Sequence, residues 1–371
     1  MSHSPARALT ASERDWLTVR SYLTEHRYDL AVDAAEDYPP ARRLAGTPLL
    51  AAPGWLPPVP IPLRDIRLEL GDAAGAEVEV TDPLLPRRAD GTPYPRYSQA
   101  MAELAAPQVF ENRSTYRLTE ADLTSAPPRL AFTGGRYFDG IDTGEAAAHE
   151  YAAARLGRPA PGQLRRRFAD PCDLRRRPAN LAISTLTLRL DRKAGRASFL
   201  LHRRDPAKVG HAGGLYQVIP VGVFQPSGEA PWNRQHDFSL WRCMVREFAE
   251  ELAGRSEDYA SESGPVDYDS WPFARQLTGA LDRGQVRVWC LGLGTDPLTY
   301  ATDLLTAAVI DSDVFDAAFS VNLQRNAEGD ILAAREFAAH VIDRTVTAEP
   351  VQAAGAALLR LAWRHRDTLG G

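Results

Sequence analysis

Trp241-Arg242-Cys243-Met244-Val245-Arg246-Glu247-Phe248-Ala249-Glu250-Glu251-Leu252-Ala253-Gly254 reads as one two-sided helix. At about 100° per residue, Trp241, Met244, Val245, Phe248 and Leu252 share one side of a helix, and Glu247, Glu250 and Glu251 gather on the other beside Arg246. Like charges at i, i+3 and i+4 repel by a few tenths of a kcal/mol per pair. A solvated helix tolerates that repulsion, and a divalent cation among the oxygens reverses it. Three carboxylates on one face therefore point either to a charged surface or to a metal site.

Outward from this helix, the second half of the chain alternates strands and helices. Leu181–Leu190, a turn at 191–195 and Arg196–His202 read as a β-hairpin closed by Arg203-Arg204. A glycine-bearing loop with Gly210, Gly213 and Gly214 leads to a strand-like stretch, Tyr216–Phe224, and a polar insertion, Gln225–Asp237. Downstream, Val286–Leu293 reads as a buried strand, and Pro297–Val309 is ambiguous. Helices are expected over Asp330–Ile342 and from about Glu349 to Arg366.

The first half predicts a helix over residues 12–36, with Ser12 as its N-cap and Pro39-Pro40 as its stop. Strands are expected at Ile66–Leu70, Val78–Val80, Thr115–Leu118 and Arg129–Phe132, and helices at Tyr97–Leu104 and Asp142–Leu156. An arginine-dense stretch, Gln163–Pro178, separates the halves. Two domains are expected, 1–178 and 179–371, because 371 residues exceed what one hydrophobic core usually serves.

Composition narrows the classes. With 44% apolar and 25% charged residues the chain is ordinary for a globular protein. A net charge of −5 offers no general reason to expect nucleic-acid binding. Only Lys193 and Lys208 among 43 basic residues are lysines, so Arg165–Arg167 and Arg175–Arg177 read as a solvated or interdomain face before a phosphate clamp. Cys172, Cys243 and Cys290 are widely spaced with no C-x-x-C pair, which fits a reducing cytoplasm. No stretch of eighteen consecutive apolar residues calls for a membrane span, and the first sixteen residues lack a signal-peptide core.

The order hairpin, glycine-bearing strand end, then Arg246-Glu247-Phe248-Ala249-Glu250-Glu251 resembles the Nudix hydrolase family over roughly residues 180–345. The match departs in four places. Gly254 comes one residue late, Pro220-Val221-Gly222 stands where Pro-Gly-Gly is common, and Glu229 lies seven positions after Gly222, not six. Sixteen residues then separate Glu229 from Arg246, as an insertion would produce. The resemblance implies a mixed α/β fold, a Nudix-like α/β/α sandwich preceded by a mixed α/β amino-terminal domain. It implies Glu247, Glu250 and Glu251 as catalytic metal ligands for magnesium or manganese, and Arg246 as their ion-pairing support. Arg204 and Gly222 are the candidate substrate contacts, and Glu328, Asp311 or Asp313 the candidate base.

The function expected is magnesium-dependent hydrolysis of a phosphoanhydride in a nucleoside diphosphate derivative, by a cytoplasmic protein open to homodimer formation. The alternative is a sensor whose degenerate Nudix-like domain binds a nucleotide or metabolite without cleaving it. A biosynthetic enzyme reusing the fold is a third reading. Tyr137–Asp142 with Glu145, His149 and Glu150 reads as a helix start with capping acids, or as a pocket wall. Cys243 is placed near the polar side of its helix by periodicity. His149, His202 and His211 lack partners at metal-ligand spacing.

Overall fold

The computed structural model describes residues 7–74, 84–159, 162–204, 215–255, 259–319, 329–331 and 333–370. The strand expected at Val78–Val80, the glycines at 210–214, His211 and Glu328 lie outside them.

Two helices, α1 (Ala11–Glu25) and α2 (Arg27–Glu36), replace the one expected over 12–36, with the break at His26 (φ −111°, ψ 18°). Thr10, not Ser12, caps α1. Its hydroxyl accepts from the Glu13 N–H at 3.1 Å, and the Glu13 carboxylate accepts from the Thr10 N–H at 2.7 Å. This reciprocal pair satisfies two donors that the first helical turn leaves open. Ser12 instead accepts from the Arg87 N–H at 3.0 Å.

Next come β1 (Ile61–Pro62), β2 (Arg67–Ala74), α3 (Tyr97–Leu104), β3 (Ser114–Asp122) and β4 (Arg129–Arg136). Strand β4 runs directly into α4 (Tyr137–Gly140), a π turn at Ile141–Glu145, and α5 (Ala146–Arg155), followed by α6 (Gln163–Phe168). The second half contributes β5 (Leu181–Asp191), β6 (Arg196–Phe199), β7 (His202–Arg204), β8 (Tyr216–Gln217) and β9 (Val221–Val223). Then α7 (Pro231–His236) precedes the glutamate helix, α8 (Leu240–Glu247), which passes into a second π turn at Phe248–Leu252. Helix α9 (Pro272–Asp282), β10 (Val286–Thr295), β11 (Thr302–Asp311) and α10 (Ser312–Phe319) complete the central unit. The end carries β12 (Gly329–Ile331), β13 (Arg335–Glu336), α11 (Ala339–Ala348), α12 (Ala353–Arg364) and α13 (Arg366–Gly370).

A mixed seven-stranded sheet, in the order β1-β10-β11-β5-β6-β13 with β9 also paired to β5, organises the α/β fold. Strands β11 and β5 run parallel, and the other pairs in this sheet are antiparallel. Alternation along β11 sorts its side chains: Leu304, Ala308 and Ile310 enter one hydrophobic cluster with α8 and α9, while Leu305, Ala307 and Val309 enter another with α12. Both faces are thus covered by helices, which explains why β11 lacked a polar-apolar pattern. No helix among the described residues is long and apolar enough to cross a membrane.

The helix expected over Asp330–Ile342 is corrected. Arg335 and Glu336 pair with Phe199 and Ser198 of β6, and helix begins only at Ala339. Arg335 is further held to Glu349 at 2.6 Å, a tertiary contact that outweighs local helical periodicity.

The boundary expected near residue 178 is bridged in three ways. Ile61 and Pro62 pair with Cys290 and Trp289, Leu50 exchanges backbone hydrogen bonds with Thr295, and Trp55, Tyr116 and Phe132 share one hydrophobic cluster with Phe224 and Phe248. Arg165 donates to the carbonyl of Pro297, and buried Arg177 reaches Thr302 at 2.7 Å, so parts of the arginine-dense stretch join the halves.

Beside this sheet, Trp16, Tyr94, Tyr97 and Ile141 form a smaller cluster. At its edge Glu145 is fully buried and held by both Arg20 and Arg27, the latter at 2.9 Å. His149 lies behind it, stacked on Trp16 at 5.1 Å with Nδ1 3.1 Å from the Tyr97 hydroxyl. Burial, aided by the Arg20 charge, pushes its pKa down to about 3, so the ring is neutral.

Two stability predictions result. Glu145→Ala leaves two buried guanidiniums without their carboxylate and is expected to destabilise the protein by about 3–5 kcal/mol in urea unfolding. The hydrogen bond from Arg7, with others from Thr10 and Tyr94, holds the Glu13 carboxyl at about 2, against an ordinary 4.5. Its contribution is therefore complete above about pH 4.5 and lost as pH falls toward 2. The urea midpoints of wild type and Glu13→Gln should differ at pH 6 and converge at the acid end.

Candidate functional site

A cavity of about 360 Å³ opens where β9, the free ends of β5 and β11, and the segment from α4 to the first π turn come together. Glu247 and Glu250 line it together with Arg113, Tyr137 and Glu145. Both π turns of the described residues abut this space, one through Ile141 to Glu145 and one through Glu250. Such turns often occur at functional sites, because an i→i+5 bond admits one more residue than the regular helix and re-aims the side chains after it.

That geometry also sets how the helix ends at Gly254. The Ala253 N–H bonds to the Phe248 carbonyl at 3.1 Å across the π turn, which absorbs one extra residue. Gly254 then ends the helix at φ +61°, a conformation that favours glycine.

Ser239 caps helix α8, its hydroxyl accepting from the Arg242 N–H at 3.3 Å. It is buried on more sides than its wheel suggests, with Leu240, Cys243, Met244, Val245 and Arg246 all enclosed. Cys243 is therefore corrected from the polar side to the core. It packs under β9 with Sγ 3.6 Å from the Val223 carbonyl, and burial pushes its thiol up to about 12, which rules out a ready nucleophile.

The three glutamates differ in their surroundings. Glu247 lies so close to β9 that a Cβ on Gly222 would stand 1.9 Å from its carboxyl carbon. Gly222 thus gives the carboxylate its room. Glu250 accepts from the Tyr259 hydroxyl, which orients it. Glu251 is buried, and one of its oxygens accepts from the Val221 N–H at 3.0 Å, tying the π turn to β9.

Arg246 is enclosed beneath them. Its guanidinium donates to the Tyr268 hydroxyl and to the Gln225 carbonyl, and stands 3.4 Å from Asp237. Asp237 also accepts from the Ser227 N–H and hydroxyl at 2.8 and 2.6 Å. The expected Gln225–Asp237 insertion is therefore fastened to the base of α8. Glu229 fastens its other side, accepting from the Ser114 N–H at 2.7 Å and from Arg136 at 2.7 Å. Burial pushes the Glu229 carboxyl upward, but these bonds prevail and hold it below its ordinary value. Glu229 serves as a latch between the halves.

Arg204 ends β7, and its side chain lies outside the described residues, as does Glu328. Asp311 is held by Arg192 at 2.8 Å at the opposite end of β11 from the cavity, and Asp313 lies beyond it in α10. The acid of β11 that lines the cavity is Asp303, which sequence reasoning missed. It sits in the stretch read as ambiguous, and its one signal is a charge near the start of a mostly apolar strand.

Among the described residues, no group of three or more His, Cys, Asp or Glu side chains is placed to hold a metal ion by itself. Glu247 and Glu250 nonetheless supply the hard oxygen donors that magnesium prefers. That ion commonly takes one or two carboxylates and completes its shell with water and substrate phosphate. The residues fit a cation shared with a bound phosphate better than a closed protein cage.

Gly222→Ala tests the close approach. The group in the way is the end of a flexible side chain, so thermal unfolding should move by no more than a few degrees, about 1 kcal/mol. A crystal structure of the variant should show the Glu247 carboxylate displaced from β9.

No protein-family model matches this chain, and no curated protein matches it. Among solved structures, it is similar to the crystal structure of a NUDIX hydrolase from Alicyclobacillus acidocaldarius. The two are 17% identical with a TM-score of 0.29, over 49% of this chain and 90% of that one. A likeness at that level has no bearing on activity or ligand.

Proposed function

We propose that the cavity hydrolyses a phosphoanhydride in a nucleoside diphosphate derivative, as a Nudix-like enzyme using magnesium or manganese. The reading rests on one observation above all: Glu247 and Glu250 both line the cavity, and Glu247 occupies the place a Gly222 side chain would take. Glycine at that position serves no turn, so the close approach of the carboxylate is what requires it.

Glu247 and Glu250 would hold the cation, with Glu251 adjoining. When bound, the metal offsets phosphate charge and acidifies a water for attack on phosphorus. Tyr259 fixes the rotation of Glu250, and the Val221 N–H fixes Glu251, so the acids are pre-oriented. Arg113, which also lines the cavity and is paired with Glu111 at 2.9 Å, would be the cation for the far phosphate or the leaving group. Buried Arg246, through Asp237 and Tyr268, keeps the helix carrying the acids in place.

The test is incubation with magnesium and a panel of nucleotide sugars, dinucleotides and nucleoside triphosphates, followed by phosphate and nucleotide analysis. Turnover is expected for at least one panel member, lowered about a hundredfold or more, or about 2.7 kcal/mol, by Glu247→Gln or Glu250→Gln. Ligand binding that survives both substitutions, with no turnover of any member, would overturn hydrolysis in favour of a sensor.

A further inference from the structure

The central sheet has an open edge at β10, separated from β9 by β5 and β11. Residues 50–62 cover the outer side of β10 only from Thr295 down to Trp289. Leu50 bonds to Thr295, the Leu293 N–H donates to the Trp55 carbonyl, and Ile61 and Pro62 stand opposite Cys290 and Trp289. At Leu63 the chain leaves β10 in a single 3₁₀ turn, Leu63–Asp65, and passes to β2 in another sheet. The register that would set Leu63 opposite Val288 stops there.

A cavity of about 560 Å³ lies at this departure, lined by the consecutive β10 residues Val286 to Trp289. Successive side chains of a strand point to opposite faces, so a cavity touching both sets lies against the strand's edge. The ladder on the other side of β10 tells which backbone groups face it. The Asp311 N–H donates to the Gln285 carbonyl at 2.9 Å, so Gln285, Arg287 and Trp289 turn their N–H and C=O groups toward β11. Val286 and Val288 turn theirs outward, and among the described residues no backbone hydrogen bond meets them there. Both residues are buried, where a main-chain donor or acceptor without a partner is costly.

Leu63, Leu68, Phe238, Trp241 and Leu281 supply apolar walls, against which an added strand can lay alternate side chains. The charge around the cavity is positive by one. Arg64 and Arg287 line it with Asp282, and Asp65 and Arg283, their neighbours in the chain, offset each other. Arg64 is 84% exposed and stands 3.8 Å from Asp65, which leaves it free to turn toward an incoming anion. Burial and the Arg192 charge push the Arg287 guanidinium below its ordinary value, and Asp311 offsets only part of that. A further carboxylate beside it is favoured.

We propose that this gap binds an extended acidic peptide of a partner protein, which adds a strand to β10 at Val288 in continuation of β1. The peptide's main chain bonds to the outward groups of Val286 and Val288, and its apolar side chains meet the walls. Its carboxylates pair with Arg64 and Arg287, which select an acidic sequence over a basic one. The site is independent of the reaction at the glutamates.

Synthetic hexapeptides test the proposal. One alternates valine with glutamate and its counterpart alternates valine with lysine, both acetylated and amidated, and each is titrated calorimetrically into the full chain. The glutamate peptide is expected to bind about tenfold or more tightly, and Arg64→Glu should erase that preference without altering thermal unfolding. N-methylation of single peptide bonds should weaken binding about tenfold at alternate positions and little at those between, because only every second N–H faces β10. Val288→Pro removes the outward N–H and none that faces β11, and should abolish binding. If that variant does not fold, the N-methyl series makes the same test from the peptide's side. Binding of neither peptide, equal binding of both, or an affinity indifferent to the position of the methyl group overturns the proposal.

Discussion

The arrangement of the cavity depends on how closely α8 lies against β9. The Glu247 carboxylate occupies the volume of an absent Gly222 side chain, and Glu251 accepts a hydrogen bond from the residue before it. Any Cβ on that strand residue moves the acid. Around this contact, buried Arg246 joins Asp237, Tyr268 and the Gln225 carbonyl, so the helix, the insertion and the strand end form one fastened unit. A buried ion pair of this kind adds little net stability, but removing one partner is costly, which suits a contact that fixes position.

The amino-terminal half is part of the same design. Its β1 extends the central sheet, its β3–β4 hairpin receives Glu229, and its π turn brings Glu145 to the cavity. Glu145 at that wall is held by Arg20 and Arg27 from the first two helices. Residues more than a hundred positions apart in the chain thus set the shape and charge of one space. The glutamate helix supplies only one wall.

Much of the local structure was legible. Helix α3 matches the expected Tyr97–Leu104, and β5 and β10 begin where their apolar patterns begin. Legibility failed where partners came from afar. Arg335 and Glu336 read as helix by period, yet they close the sheet against β6. Cys243 read as polar-facing on an isolated wheel, yet α8 is enclosed by the insertion and β9 as well as by the core. Asp303 escaped notice because burial on both faces of β11 removed the alternation that would have singled it out.

Local patterns were enough for the α/β class, the position of the glutamate helix and the acids it carries, since periodicity and turn chemistry act within a few residues. Packing between distant segments settled which acids share a cavity, how closely Glu247 approaches Gly222, and the π turn that leads into Gly254. It also decided that Glu229 is a latch and that Asp303 lines the cavity. These are properties of distance between chain segments, and no local pattern encodes the close approach of two backbones or the sign of the charge that third parties bring to a buried site.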